Sequence, residues 1–218
     1  MEYITSSDFH FKDTAVALGK FEGIHRGHQL LMDEVKKQEL HGLRSVVFTF
    51  DRPTRLTLTG DTEYKQIYTK KERREILEKR GIDILIEHPF TKEFAALTPD
   101  RFIREVLVEK VGAKVIVVGT DFHFGKNRSG SITDLEKLEE ECGYHLIVVE
   151  KLQLNGKDIS STRIRASLEK GAMEEAKALL GRNYSVSGEI LHGNALGRTI
   201  QVPTINQQVP SFKLLPPN

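Results

Sequence analysis

The sequence predicts an α/β protein with a mostly parallel sheet that is covered by helices on both faces. Five short runs rich in Val, Ile and Leu carry this prediction. Their apolar residues do not alternate with polar ones, which indicates strands buried on both faces. The runs are residues 15–18, 46–48, 82–86, 115–118 and 146–149. Stretches with helical spacing separate them, so strands and helices alternate along the chain.

The stretches between the runs predict where the helices lie. Leu31 and Val35 are about one helical turn apart after the first run. A second stripe has apolar residues at i, i+1, i+4 and i+5, and Thr98 followed by Pro99 gives it a typical start. That stripe is Phe102, Ile103, Val106 and Leu107. The mixed charges of residues 70–74 indicate a solvated helical face.

Composition and charge exclude several classes of protein. The chain has 218 residues, 39% hydrophobic and 29% charged, which is typical of folded globular proteins. With 32 basic and 31 acidic side chains the net charge is +1, so we expect no nucleic-acid partner and only a local phosphate site. Cys142 is the single cysteine, and no apolar stretch approaches about 18 residues. We therefore expect a cytoplasmic protein without disulfides or membrane contact.

The carboxyl-terminal part of the chain differs in character. A helix is predicted to open near Ser160, and a further helix carrying Ala172, Ala176, Leu179 and Leu180 ends at Gly181. Glycines and prolines then become frequent, which favours turns and short strands. The predicted division is a first domain over residues 1–182 and a second over 183–218.

The first candidate site follows the first strand and opens the first helix, with the sequence GKFEGIHRGH from Gly19 to His28. A helix amino terminus at the carboxyl edge of a parallel sheet suits a phosphate, and glycines such as Gly23 let the backbone approach closely. His25 and His28 could direct hydrogen bonds and positive charge at the same phosphates, mainly during the chemical step. A metal-binding pair is disfavoured, because there is no HExxH arrangement and no nearby third ligand.

The second candidate site is ISSTRIR, which begins at Ile159, follows the last strand and opens a helix. Its hydroxyl groups and arginines can bind phosphate oxygens. A capped helix with solvated arginines remains an equal alternative for this segment alone.

Two further segments leave strands at the same predicted edge. The first, VGTDFHFGKNRSG from Val118, lacks the spacing of a phosphate-binding P-loop and is interpreted as an aromatic binding loop. Phe122 and Phe124 could instead belong to the core. In the second, FTFD from Phe48, Asp51 could coordinate magnesium, orient a substrate or form a turn.

Together these segments resemble the bacterial bifunctional riboflavin kinase and FAD synthetase family, over the whole chain. The resemblance implies a Rossmann-like nucleotidyltransferase domain that transfers AMP from ATP to FMN with the help of Mg²⁺. It also implies a role for each matching residue. The catalytic residues are His25, His28 and Arg163; the ATP-binding residues are Gly19, Phe21, Gly23, Ser160, Ser161, Thr162 and Arg165; the FMN-binding residues are Phe50, Asp51, Asp121, Phe122 and Phe124. No metal ligand is assigned.

The chain departs from the family pattern at two places. Glu22 stands where the family usually has aspartate, and Arg52-Pro53-Thr54 stands where it usually has Pro-His-Pro. The longer carboxylate and the missing histidine affect the expected flavin affinity and rate more than the expected ATP binding.

The tail resembles the opening of the family's riboflavin kinase module, a small β-barrel. Thr204 and Asn206 belong to the PTxN motif of that module. Because further barrel strands do not follow, we expect FAD formation from FMN but no phosphorylation of riboflavin.

Two other interpretations stay open. One keeps the fold but changes the acceptor to pantetheine phosphate or nicotinamide mononucleotide. The other makes the chain a flavin- or nucleotide-binding regulatory protein without catalysis. The sequence predicts no oligomeric state.

Overall fold

The computed structural model describes residues 1–61, 63–191 and 206–217. Its centre is a six-stranded parallel sheet, which confirms the predicted fold class and adds one strand to the expected five. The strands are β1 (Glu2–Ile4), β2 (Thr14–Leu18), β3 (Arg44–Phe50), β4 (Ile84–His88), β5 (Ala113–Gly119) and β6 (His145–Val149). The additional strand is β1, whose three residues pair with β4 at one edge.

The strand order β1-β4-β3-β2-β5-β6 places β2 between β3 and β5. The chain first builds outward from β2 through β3 and β4, and then returns to add β5 and β6 on the other side. The loops after β2 and β5 therefore diverge and leave a crevice at the carboxyl edge of the sheet, which is where open parallel sheets bind ligands.

Both faces of the sheet are covered, as the apolar runs predict. Val16, Leu18 and Phe48 pack on one face with the helix that follows Thr98, whereas Ala17 and Val47 pack on the other with α1 (Arg26–Lys37). The last run is an exception, because β6 is an edge strand and its residues are exposed or half-buried. The expectation of burial on both faces is wrong for that strand.

The remaining elements are short and surround the sheet. The helices are α2 (Thr54–Thr59), α3 (Lys70–Lys79), α4 (Lys92–Ala95), α5 (Pro99–Arg101), α6 (Ile132–Cys142), α7 (Ser161–Glu169) and α8 (Met173–Leu180). Two antiparallel strand pairs follow β6 among the described residues. The first is the hairpin of β7 (Gln153–Leu154) and β8 (Lys157–Asp158), and the second pairs β9 (Glu189–Leu191) with β10 (Asn206–Gln208). Single-turn 3₁₀ helices lie at Gln38–His41 and Lys126–Arg128.

The helix that begins after Thr98 confirms its predicted start and its buried stripe. The Thr98 hydroxyl oxygen accepts a hydrogen bond from the Arg101 N–H. Phe102, Ile103, Val106 and Leu107 are all buried. The helix is wound as a π-helix over Phe102–Lys110, a geometry that apolar spacing alone does not distinguish from an α-helix.

The predicted solvated face on α3 is wrong for two of its residues. Arg73 pairs with the fully buried carboxylate of Glu87 and also donates to the Phe50 carbonyl. Glu72 is buried beside Lys213, a residue 141 positions further along the chain. Charge alternation alone did not reveal these distant partners.

The tail lies against the first part of the chain. Gly181 ends α8 with a left-handed φ of 71°, as predicted. Tyr184 and Leu214 share an apolar cluster with Ile67, Ile164 and others on the amino-terminal side of the predicted boundary. The division at residues 181–184 stays a prediction. Asn206 begins β10, and Thr204 lies outside the described residues.

Candidate active site

A cavity of about 900 Å³ occupies the crevice at the carboxyl edge of the sheet. Both candidate phosphate-binding segments reach it, because α1 begins after β2 and α7 begins after β6 and its hairpin. Most of the residues that the sequence analysis singled out lie in its wall. They are Gly19, His25, His28, Phe50, Asp121, Phe122, Phe124, Ser160, Ser161 and Thr162. The volume falls within the usual range for a small-molecule site, about 300–1,000 Å³.

The loop between β2 and α1 is held in an unfavourable conformation. Phe21 and Ile24 have positive φ angles of 46° and 42° although both are bulky, and Ile24 is also β-branched. Such residues persist only where their surroundings fix them. Here the Arg182 guanidinium donates to the carbonyls of Gly23 and Ile24 at 3.0 and 2.8 Å, and Gln29 donates to that of Ile24 at 3.0 Å.

The ring of Phe21 is fully buried and does not line the cavity. It packs against His28, with the ring centroids 4.9 Å apart. Phe21 therefore supports the ring of His28, and its predicted contact with ATP stays a prediction.

The two histidines are stacked, with ring centroids 3.7 Å apart and planes 17° apart. His25 caps α1, since its Nδ1 accepts a hydrogen bond from the His28 N–H at 3.2 Å. An accepting Nδ1 carries no proton, so the proton of the neutral ring lies on Nε2 and can be donated to a ligand oxygen. His28 is half-buried, and its Nδ1 is buried without a partner within the described part of the chain.

Burial, more than any neighbouring charge, lowers the pKa of His25 to about 4. The pKa of His28 is lowered well below its usual value, first by burial and then by His25 and Arg182. Both rings are therefore neutral at pH 7 in the free protein. In this state they are neutral hydrogen-bonding groups, and their positive charge during the chemical step stays a prediction.

The start of α7 provides the facing wall. The Ser160 hydroxyl oxygen caps the helix by accepting from the Arg163 N–H at 3.2 Å. Gly23 allows the two helix starts to come together, because a Cβ atom there would lie 3.3 Å from Ile164 Cδ1 and 3.5 Å from Ser161 Oγ. Gly23 thus contributes through close packing and does not itself line the cavity.

Arg163 does not line the cavity in this structure, and its catalytic role stays a prediction. Its guanidinium donates to Glu175 at 2.8 and 3.0 Å and to the carbonyls of Leu154 and Lys157 at 2.9 and 3.2 Å. These bonds attach the β7–β8 hairpin and α8 to α7. The sequence pattern could not predict these contacts, because the same residues would precede a surface arginine and a phosphate-binding arginine.

Arg165 lies at a second, smaller cavity of about 490 Å³ that adjoins the first. Its guanidinium pairs with Glu22, donates to the Lys65 carbonyl and lies 4.4 Å from the ring centroid of Tyr64. Glu22 lines both cavities and also accepts from the Tyr64 hydroxyl at 2.7 Å and from the Ile67 N–H at 3.3 Å. The glutamate that departs from the family pattern is therefore the centre of the wall between the two cavities.

One end of the larger cavity is aromatic. Seven phenylalanines line it: Phe48, Phe50, Phe90, Phe94, Phe102, Phe122 and Phe124. Phe50 and Phe90 are in contact at 4.7 Å between centroids, and Phe122 stacks on Phe124 at 5.4 Å. The sequence analysis missed Phe90 and Phe94 as site residues. Phe90 could have been found, because it follows the fourth strand by two residues at the same edge.

Asp51 lies at the smaller cavity and fixes the neighbouring loop. Its Oδ1 accepts from the Phe90 N–H at 3.0 Å and its Oδ2 from Arg52 Nε at 2.9 Å. Partial burial acts to raise the pKa of Asp51, but these hydrogen bonds outweigh it and the net pKa is lowered. Of the alternatives for Asp51, the structure favours a loop-fixing role.

Three cations that the sequence analysis did not single out, Lys20, Arg128 and Lys151, also line the larger cavity. Burial, and then the charge of Arg128, lowers the pKa of Lys20. Lys151 pairs with Asp121 at 3.2 Å and with Asp158 at 3.3 Å. Among the described residues no group of three or more His, Cys, Asp or Glu side chains could hold a metal ion. These cations share the wall with four carboxylates, those of Glu22, Asp121, Glu150 and Asp158, so the wall is of mixed charge.

Comparison with known proteins agrees with this geometry. The model of the FAD synthetase family matches residues 8–163, and that of the riboflavin kinase family matches residues 180–218. A bifunctional riboflavin kinase/FMN adenylyltransferase from Buchnera aphidicola subsp. Schizaphis graminum is 33% identical over 89% of this chain and 63% of its own length. One of the same description from Listeria monocytogenes is 34% identical over 98% of this chain and 68% of its own length. The chain thus spans about two thirds of the length of these relatives.

A solved structure is similar over almost the whole chain. It is described as a macrolide-efflux protein from Streptococcus pneumoniae, with a TM-score of 0.88 and 31% identity over 99% of this chain and 72% of its own. In the described part of the present chain, no helix is long and apolar enough to cross a membrane.

Proposed function

Because this chain belongs to the FAD synthetase family, we propose that it is an FMN adenylyltransferase, which transfers AMP from ATP to FMN and releases pyrophosphate. The observation that carries the proposal is the cavity of about 900 Å³, which joins two helix amino termini to a wall of phenylalanines. The first feature suits a polyphosphate and the second a planar aromatic ring system.

The triphosphate of ATP is proposed to lie between the starts of α1 and α7. Each start offers backbone N–H groups and the positive end of a helix dipole. His25 can donate from Nε2, and Lys20 and Arg128 supply positive charge without depending on the histidines. These groups favour the transition state, in which negative charge on the transferred phosphate and the leaving pyrophosphate must be stabilised.

The isoalloxazine ring of FMN is proposed to lie at the phenylalanine end, near Phe50, Phe90 and Phe122. A three-ring flavin can use several aromatic faces and edges at once, whereas pantetheine phosphate has no ring. This aromatic wall therefore favours FMN over the pantetheine acceptor. Asp121, which lines the same cavity, and Asp51, which fixes the loop beside it, belong to this side of the site.

The reaction needs no protein nucleophile. A phosphate oxygen of FMN attacks the α-phosphorus of ATP, the new P–O–P bond forms, and the bond to the β-phosphate oxygen breaks to release pyrophosphate. The chain's contribution is to hold the two phosphates in line and to exclude competing water. Mg²⁺ would supply charge neutralisation when bound, and the carboxylate of Asp121 would hold it together with the ligand phosphates.

A two-arm incubation tests the proposal. The full chain is supplied with ATP and Mg²⁺ and with either FMN or riboflavin, and products are separated by chromatography. We expect FAD and an equal amount of pyrophosphate in the FMN arm, and no FMN in the riboflavin arm. FMN that binds without any pyrophosphate release would instead identify a regulatory protein. Pyrophosphate release only with nicotinamide mononucleotide would identify a different acceptor.

A further inference from the structure

Residues 211–214 of the tail are docked as an added strand-like segment on residues 65–67. The Gln66 N–H donates to the Phe212 carbonyl at 2.6 Å, and the Leu214 N–H donates to the Gln66 carbonyl at 2.8 Å. Lys65 Nζ donates to the Ser211 carbonyl at 2.8 Å. The tail thus fixes the backbone of a segment that lines the smaller cavity.

The buried side chain of Lys213 attaches this docked segment to the interior of the protein. Its side chain is 0% exposed and that of its partner Glu72 is 3% exposed, with 2.6 Å between Nζ and Oε2. Nζ also donates to the carbonyls of Ile67 at 2.8 Å and Ser185 at 3.2 Å. It lies 4.7 Å from the ring centroid of Tyr68 and 4.6 Å from that of Tyr184. All three of its protons therefore have oxygen partners, as a buried ammonium requires.

The backbone of Ile67 connects this anchor to the cavity wall. Its carbonyl accepts from Lys213 and, at 2.9 Å, from the Tyr184 hydroxyl, while its N–H donates to Glu22 at 3.3 Å. Only one residue thus separates the Lys213 ammonium from the Glu22 carboxylate, which in turn holds Tyr64 and Arg165.

We infer that Lys213 is a positioning residue for the adenylyl-transfer site, acting through the backbone of residues 65–67 on Glu22 and Arg165. The inference rests on the proposed function. It assigns a role in the first family region, residues 8–163, to a side chain from the second, residues 180–218. Loss of the ammonium would leave Glu72 buried without its cation, so that Glu72 turns toward water, residues 211–214 detach and the wall around Arg165 loosens.

The test compares Lys213→Met with Ser45→Ala as a matched control. Ser45 bonds to Asp83 at 2.8 Å and lies near the amino end of β3, away from the cavity, so its loss weakens the fold without touching residues 65–67. At temperatures below the thermal unfolding of both variants, we expect Lys213→Met to raise the KM for ATP about tenfold. A small misplacement of a site residue is enough to weaken its interaction with the substrate. Ser45→Ala should leave both kinetic constants unchanged. Equal constants for the two variants would overturn the inference.

A double-mutant cycle identifies the route of the effect. If Lys213 acts through Arg165, then Arg165→Ala with Lys213→Met should be within about twofold of Arg165→Ala alone, because coupled residues are not additive. If the increases in the KM for ATP of the two single variants multiply in the double variant, Lys213 does not act on Arg165. If Lys213→Met fails to fold, the double variant Glu72→Gln with Lys213→Met removes both buried charges. This double variant then replaces Lys213→Met in the same double-mutant cycle with Arg165→Ala.

Amide hydrogen exchange separates this inference from the proposed function. Exchange at Gln66, Ile67 and Leu214 should become faster in Lys213→Met but not in Ser45→Ala, and ATP binding measured by calorimetry should weaken only in the former. If the wild-type chain forms no FAD but both changes occur, the proposed function fails and the positioning role stands. If exchange and binding do not change, the positioning role fails whatever the activity.

Discussion

Helix α1 is capped by His25, whose two ring nitrogens have different roles. Nδ1 of His25 accepts the His28 N–H, which leaves Nε2 as the proton-bearing atom in the wall of the cavity. Asparagine is also a good helix-capping residue. It can replace the capping interaction without replacing the imidazole donor. The chain therefore allows the two roles of His25 to be separated by one substitution.

We predict that His25→Asn lowers kcat by roughly a hundredfold or more, the usual effect of removing one donor to a developing oxyanion. The free energy of unfolding should stay close to that of the wild type. His25→Ala should lower kcat similarly and also cost about 1 kcal/mol of stability through loss of the cap. Steady-state kinetics and urea unfolding measure the two effects. Normal turnover in His25→Asn would exclude His25 from the chemistry.

The buried histidine also predicts how stability depends on pH. The pKa of His25 is lowered from 6.5 to about 4 in the folded state, so between these values the unfolded chain binds more protons. Stability is present in full above about pH 6.5 and is lost as the pH falls toward 4. From pH 7.5 to 5, His25 should account for about 2 kcal/mol of that loss. His25→Asn should lose correspondingly less stability over this interval, and identical losses would contradict the lowered pKa.

At the scale of elements, Arg163 is predicted to fasten the β7–β8 hairpin and α8 to α7. Arg163→Ala should lower the free energy of unfolding by about 1–3 kcal/mol, because several hydrogen bonds to a charged group are lost. Glu175→Gln should lower it less, and the two effects should not add. Neither variant should change kcat more than severalfold at a temperature where it is folded. Loss of turnover in Arg163→Ala alone, at unchanged stability, would instead support the catalytic role that the resemblance implies.

The sequence was informative where local pattern decides the structure. The apolar runs predicted five of the six strands, and Thr98 and Gly181 marked helix ends correctly. It failed where the deciding contact is distant along the chain. Strand β1 has only three residues and no fully buried face, so it leaves no periodic signal. Glu72 and Arg163 look like surface charges until Lys213, Leu154 and Lys157 are brought to them by the fold.

The candidate site shows the same limit. Glycines and histidines after the first strand predicted its phosphate side, since position after a strand and at a helix start is a local property. The neutral state of the histidines could not be predicted, because it results from packing by Phe21 and from burial. Phe94 was missed because it lies on a short helix after β4, and only the folded chain places it opposite Phe50.

For the molecule as a whole, ligand binding should appear as added stability. A non-hydrolysable ATP analogue with Mg²⁺, at about a hundred times its Kd, should add about 2.7 kcal/mol to the folded state. For a chain of this length that corresponds to a rise in Tm of roughly 5–10 °C, measured by calorimetry. Ser45→Ala should show the same rise from a lower starting temperature. No rise in either protein would contradict a preformed nucleotide site.

The docked segment at residues 211–214 also bears on how the protein is made. Chains fold from their amino terminus as they leave the ribosome, so the sheet and α1 can assemble before this segment has been synthesised. Until Lys213 emerges, Glu72 has no buried cation and must stay solvated, and the Ile67 carbonyl lacks its Lys213 donor. A nascent chain should therefore acquire its sheet first and a finished candidate site only after Lys213 has been synthesised.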